Sequence, residues 1–168
     1  IGSAMLRWME DRLRLVTAAH PASLTRFFQA EAKHFQAGKS ILLERAGYQS
    51  VRCFQEMVRP GLEDIHQTPL PAGLEVRPVL PEHYRQIWAS IIENSQDEWG
   101  YTPPTEEDYQ AWLDNPHFQP HLWQIAWDNA TNLVAGHVLT FIDHAQNDKL
   151  EQKRGYTEGI GVTPAWRR

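Results

Sequence analysis

The stretch Arg154–Arg168 reads RGYTEGIGVTPAWRR, and the rest of the chain is read outward from it. Tyr156 to Val162 is rich in strand formers, Thr163-Pro164 breaks the run, and the pair Arg167 and Arg168 follows. A strand that opens into a basic turn leads to an anion site, where the N-terminus of a helix presents free N–H groups to a phosphate. The other end of the chain supplies such a helix start, because IGSAML places Gly2, Ser3 and Ala4 at the head of an amphipathic run. The two ends read as halves of one motif, and both are expected to be cuts in a longer protein.

Composition narrows the function. The chain has 168 residues, 42% apolar, with a formal net charge of −5, which is globular and lacks the basic stripe of a phosphate-tracking nucleic-acid binder. No apolar run of about 18 residues is present to span a membrane, and no charged-then-apolar leader opens the sequence. The single cysteine, Cys53, permits no internal disulfide and points to a reducing cytoplasm; in its alternating segment it is expected to be a small buried hydrophobe. His117 and His121 are separated by Pro120 and preceded by Pro116, which break any helix that would align them, so no metal site is expected.

Periodicity predicts the elements in order. Met5, Leu6, Met9, Leu13 and Val16 recur at helical spacing over Ser3–Ala19. A strand is predicted at 24–32, then a helix over Gln36–Ala46 closed by Gly47 as a left-handed cap, then a half-buried strand at Val51–Val58. Residues 60–73, with Pro60, Gly61, Pro69, Pro71 and Gly73, read as an interdomain linker. Beyond it come an edge strand at Leu74–Val79 and a helix with Tyr84, Ile87, Trp88, Ile91 and Ile92 on one stripe. The loop Asp97–Pro104 precedes a second helix opened by a capping box of Thr105 and Asp108. A hairpin of His121–Asp128 and Leu133–Asp143, a polar loop His144–Lys153 and the closing strand complete the chain.

This order resembles the GNAT superfamily of acyl-CoA-dependent N-acetyltransferases, a mixed α/β (α+β) fold. GVTPAWRR is similar to the front of the family's acetyl-CoA loop and IGSAML to its back, while Glu44-Arg45-Ala46-Gly47-Tyr48 is similar to the close of such domains. The resemblance implies a tandem, mycothiol synthase-like protein. Residues 1–59 would be the C-terminal half of a first domain and 74–168 the N-terminal half of a second. A further expectation is that the halves combine as a circularly permuted unit, with 154–162 lying beside 24–32.

The same resemblance implies a function: transfer of an acetyl group from acetyl-CoA, as cosubstrate and without metal, to a primary amine of a small molecule. The alternative is a non-catalytic acyl-CoA-binding or scaffolding repeat. Gly2, Ser3 and Ala4 would face the pyrophosphate in one domain, and Arg167 and Arg168 would add charge beside it in the other. The backbone of Ile160, Gly161 and Val162 would pair with the pantetheine arm. Amine attack on a thioester needs a base, and Glu158 is the candidate, on the reading that alternation places it on one face with Ile160 and Val162. Its plain alternative is a solvated strand residue. Trp99 and Tyr101 would line the acceptor pocket, or else cap the core from outside. Where the family carries a protonating tyrosine, before the E-R-A-G segment, this chain has Leu43.

Overall fold

The computed structural model describes every residue except Leu24 and Arg168. The chain forms two compact units, Ile1–Asp64 and Ile65–Arg168. In the first, α1 (Gly2–Thr17) and α2 (Ala37–Arg45) are the regular elements. Leu6 is the residue α1 buries. The Tyr48 hydroxyl donates to Glu10 at 3.0 Å, tying the end of the α2 segment back to α1. Helix α2 closes as the glycine predicts. Gly47 has φ +89, its N–H reaches Glu44 O at 3.0 Å, and Tyr48 N–H reaches Leu43 O at 3.0 Å, the paired bonds of a Schellman motif.

The strands expected at 24–32 and 51–58 are absent: residues 25–32 and 51–58 have no ladder partner, and Leu24 lies outside the described residues. Alternation prepares a strand for pairing but does not supply the neighbour whose N–H and C=O groups complete it. The pairing of 154–162 with 24–32 therefore has no strand on one side. Val51, Phe54, Met57 and Val58 are exposed, and so is Cys53, contrary to the buried hydrophobe expected there.

The second unit is a four-stranded antiparallel sheet in the order β1-β2-β3-β4, from β1 (Leu74–Val76), β2 (Gln124–Asp128), β3 (Val134–Phe141) and β4 (Tyr156–Val162). A 3₁₀ turn at Pro81–His83 leads into α3 (Tyr84–Ser95), followed by α4 (Glu106–Leu113). The capping box forms as read: Thr105 Oγ accepts from Asp108 N–H at 3.3 Å, and Asp108 accepts from Thr105 N–H at 2.6 Å. Where a polar loop was expected, α5 (His144–Lys149) forms, because Asp143 caps it by accepting from Gln146 N–H at 2.8 Å.

One face of the sheet carries the core. Ile125 and Trp127 of β2 and Val134 of β3 bury against Ile87 of α3 and Trp123. Trp112 of α4 extends this core outward, stacking on Trp123 with centroids 5.4 Å apart and meeting Phe118 edge-on at 4.9 Å. Side-chain amides finish two strand ends. Gln119 pairs with the Ile142 backbone through bonds of 3.0 and 3.1 Å, and Asn147 with that of Arg154 through 2.9 and 3.2 Å. Ile125 is 0% exposed and Ile160 70% exposed, so substitution separates the two faces. Thermal unfolding followed by tryptophan fluorescence should show Ile125→Ala losing about 2–5 kcal/mol and Ile160→Ala less than about 0.5 kcal/mol.

Candidate functional site

Strand β4 is an edge strand, hydrogen-bonded to β3 along one side, with no strand of the described residues along the other. Its register with β3 jumps between two pairs, Val138↔Ile160 and Leu139↔Glu158, leaving Gly159 as an inserted residue at φ +58. This is a β-bulge with glycine in the left-handed conformation that a side chain resists. A Cβ on Gly159 would also lie 3.0 Å from Leu139 Cδ1.

The bulge corrects the sequence reading of Glu158. Val162 and Ile160 lie opposite Gly136 and Val138, on one face of the sheet. Glu158 lies opposite Leu139 and shares the other face with Gly161, opposite His137, and Tyr156, opposite Phe141. One extra residue flips the alternation, so Glu158 does not share a face with Ile160 and Val162. It is solvent-exposed, on the side of the sheet that α3 covers farther along the strand.

Ile160 and Val162 are exposed on the opposite, uncovered face. There, Leu74, Ala126, Gly136, Val162 and Trp166 line an open, largely apolar groove of about 610 Å³. Gly136 has no room for a side chain, since a Cβ would sit 3.0 Å from Gly161 O. Arg167 borders this groove, but its guanidinium is engaged. Nε donates to Val162 O at 2.8 Å, and a second nitrogen pairs with Asp97 at 2.7 Å. Arg168 lies outside the described residues.

Trp99 and Tyr101 sit in the loop that follows α3, with Trp99 half exposed and Tyr101 N–H bonded to Glu98 O at 3.1 Å. In the first unit, Gly2 and Ser3 line a cavity of about 310 Å³ together with Gly38, Ile41, Leu42 and Arg45. Ala4 is exposed, and its N–H is already bonded to Ile1 O at 3.1 Å. The structure thus gathers Glu158, Ile160, Gly161, Val162 and Arg167 along one strand and its exit, and Gly2 and Ser3 around a separate cavity.

Three polar residues behind β4 escaped the sequence reading. Ser90 and Asn94 of α3 fall one turn apart within the apolar stripe of Ile87 and Ile91, a polar interruption that was visible in the sequence. His137 of β3 is 5% exposed and shares a 3.1 Å hydrogen bond, through Nδ1, with Ser90 Oγ. Among the described residues no group of metal-ligating side chains converges, and no helix is long and apolar enough to cross a membrane.

Burial pushes the His137 imidazole from 6.5 down to about 4. The unfolded chain therefore binds a proton between these values that the folded chain refuses. The stability that neutral His137 permits is complete above about pH 6.5 and is lost as the pH falls toward 4. Urea unfolding at pH 7 and pH 4.5 should show wild-type stability falling by roughly 2–3 kcal/mol more than that of His137→Gln, which removes the titrating group.

No protein-family model matches the sequence, and no curated protein matches it. Among solved structures, the chain is similar to a GCN5-related N-acetyltransferase from Sphaerobacter thermophilus. The identity is 20% and the TM-score 0.71, over 99% of this chain and 49% of that one. It also aligns with a Pyrococcus horikoshii protein provisionally assigned as an acetyltransferase, at 16% identity and TM-score 0.44, over 63% of this chain and 33% of that one. The chain spans about half the length of the Sphaerobacter structure. Its mixed α/β architecture, with helices packed on a four-stranded antiparallel sheet, is the fold of the GCN5-related N-acetyltransferases.

Proposed function

We propose that the protein containing this chain transfers an acetyl group from acetyl-CoA to the primary amine of a small molecule. One observation carries the reading beyond the fold likeness: β4 is an open edge strand, broken by a glycine bulge, with a carboxylate immediately before the break. An open edge offers backbone N–H and C=O groups to an extended amide-bearing ligand, the way strand addition recognises peptides. The pantetheine arm of acetyl-CoA is such a ligand, and Ile160, Gly161 and Val162 are the residues that would pair with it.

In this reading Glu158 takes a proton from the acceptor ammonium, leaving a nucleophilic amine. The amine attacks the thioester carbonyl, backbone N–H groups of β4 steady the tetrahedral oxyanion, and collapse expels the CoA thiolate, which is then protonated. Glu158 is suited to exchanging protons with solvent because it is exposed. Gly2 and Ser3, at the positive end of α1 beside Arg45, are the corresponding phosphate-facing groups of the first unit. Residues 1–59 and 74–168 then belong to two successive acetyltransferase-like domains joined by 60–73, in a tandem, mycothiol synthase-like protein. Arg167 contributes by fixing the exit of β4, since its guanidinium is held by Val162 O and Asp97. Trp99 and Tyr101 would border the acceptor. A reducing, cytoplasmic setting fits a single exposed cysteine, Cys53.

The second reading, a non-catalytic acyl-CoA-binding or scaffolding repeat, draws its support from Leu43, which stands where the family's protonating tyrosine would be. Two measurements on the full-length protein separate the readings. Acetyl-CoA should raise its melting temperature, and no rise at saturating concentration would refute both. Glu158→Gln should lower kcat by about 10²–10⁴-fold across a panel of small amines while leaving the KM for acetyl-CoA unchanged. Loss of thioester absorbance is the preferred assay, because a thiol reagent would also report exposed Cys53. Cosubstrate binding without turnover in the wild type would favour the scaffolding repeat.

A further inference from the structure

A buried polar row crosses the otherwise apolar packing of α3 on the sheet. It runs from Ser90 Oγ to His137 Nδ1, a 3.1 Å bond, and His137 stands opposite Gly161 in the β3–β4 register. Beside it lies the Asn94 side chain, whose Nδ2 and Oδ1 are both buried and lack a hydrogen-bond partner among the described residues. A Cβ on Gly161 would lie 2.5 Å from Asn94 Nδ2 and 2.8 Å from His137 Nε2. The amide and the imidazole therefore both reach β4 at Gly161, where a side chain is missing. With Nδ1 bonded to Ser90, Nε2 is the ring atom that lies against Gly161.

Asn94 holds the strand from its main chain as well. Its carbonyl accepts from Arg167 at 3.3 Å, and the same guanidinium donates to Val162 O at 2.8 Å. The side chain thus meets β4 at Gly161, and the backbone reaches Val162 through Arg167. These residues lie two and three positions beyond the Gly159 bulge, on the edge strand.

We propose that Asn94, backed by His137 and Ser90, is a positioning residue for β4, its amide seated against Gly161 so that α3 sets the geometry of the open strand edge. The functional consequence rests on the reading that this edge pairs with acetyl-CoA. Asn94 touches no reacting atom in that scheme. It acts through the backbone of Gly161 and Val162.

The test combines amide hydrogen exchange on this chain with calorimetric binding of acetyl-CoA to the full-length protein. Asn94→Ala should speed exchange at Gly161, whose backbone faces β3, by roughly tenfold while leaving Ile125 and Trp127 of β2 unchanged, because only local opening is affected. It should also weaken acetyl-CoA binding several-fold. Gly161→Ala should weaken binding too, by forcing the amide and imidazole out. The double variant Asn94→Ala/Gly161→Ala should recover part of that loss, since alanine at 94 makes room, a rescue that mere destabilisation would not produce. Unchanged exchange in Asn94→Ala overturns the seat whatever the binding result. Faster exchange with wild-type affinity shows a structural contact and overturns the positioning role. Faster exchange in a protein whose wild type does not bind acetyl-CoA refutes the proposed function and leaves the seat supported as an element of the fold. If Gly161→Ala does not fold, Asn94→Ala decides alone.

Discussion

The second unit depends on how closely β3, β4 and α3 approach one another around two glycines. Gly136 leaves space for the carbonyl of Gly161, and Gly161 leaves space for the ends of Asn94 and His137. A methyl at either position would push against backbone or against a buried polar group, and packed interiors have little slack to absorb it. Next to this close approach the register takes in Gly159 as an extra residue, a bulge across which the side chains exchange faces. The direction of Glu158 and the outward face of Ile160 follow from that bulge.

The surroundings hold this geometry with polar clasps rather than with more apolar area. Gln119 and Asn147 imitate strand partners at the ends of β3 and β4, and Arg167 ties the exit of β4 to the C-terminal end of α3. Each satisfies backbone groups that an edge or a strand end would leave open. The large aromatic cluster of Trp112, Phe118 and Trp123 joins α4 to the core. Polar contacts are thus concentrated around β4, while its outer edge pairs with no strand of the described residues.

Much of the fold was legible because its signals are local. The Thr105–Asp108 box and the Gly47 cap each involve residues within one helical turn, and both formed as read. The hairpin from β2 to β3 was marked by a polar turn between two apolar runs. Expectations failed where a partner had to come from elsewhere in the chain. Residues 25–32 and 51–58 have strand-like composition but no ladder partner, and α5 formed where only polarity had been noticed, its cap lying one residue before the segment read as loop. For the proposed site, the sequence found the closing strand and misjudged its faces. Strict alternation was assumed through Gly159, and a glycine between two strand formers is where that assumption is weakest.

The sequence by itself determined that α1, α2, α3 and α4 are helical and that the closing stretch is a strand breaking at Thr163-Pro164, because capping, periodicity and proline chemistry act over a few residues. The tertiary structure alone decided that Glu158 lies across the sheet from Ile160 and Val162, since a bulge is defined only against the opposing strand. It alone decided that Ser90, Asn94 and His137 form one polar row against Gly161, since α3 and β3 supply them from positions far apart in the chain. Arg167 carries the same lesson: its sequence neighbourhood suggested a charge for a phosphate, and the fold gave that charge to Asp97 and to the strand's own carbonyl. Charge belongs to a residue, whereas the partner that occupies it is settled by which surfaces the folded chain brings within hydrogen-bond reach.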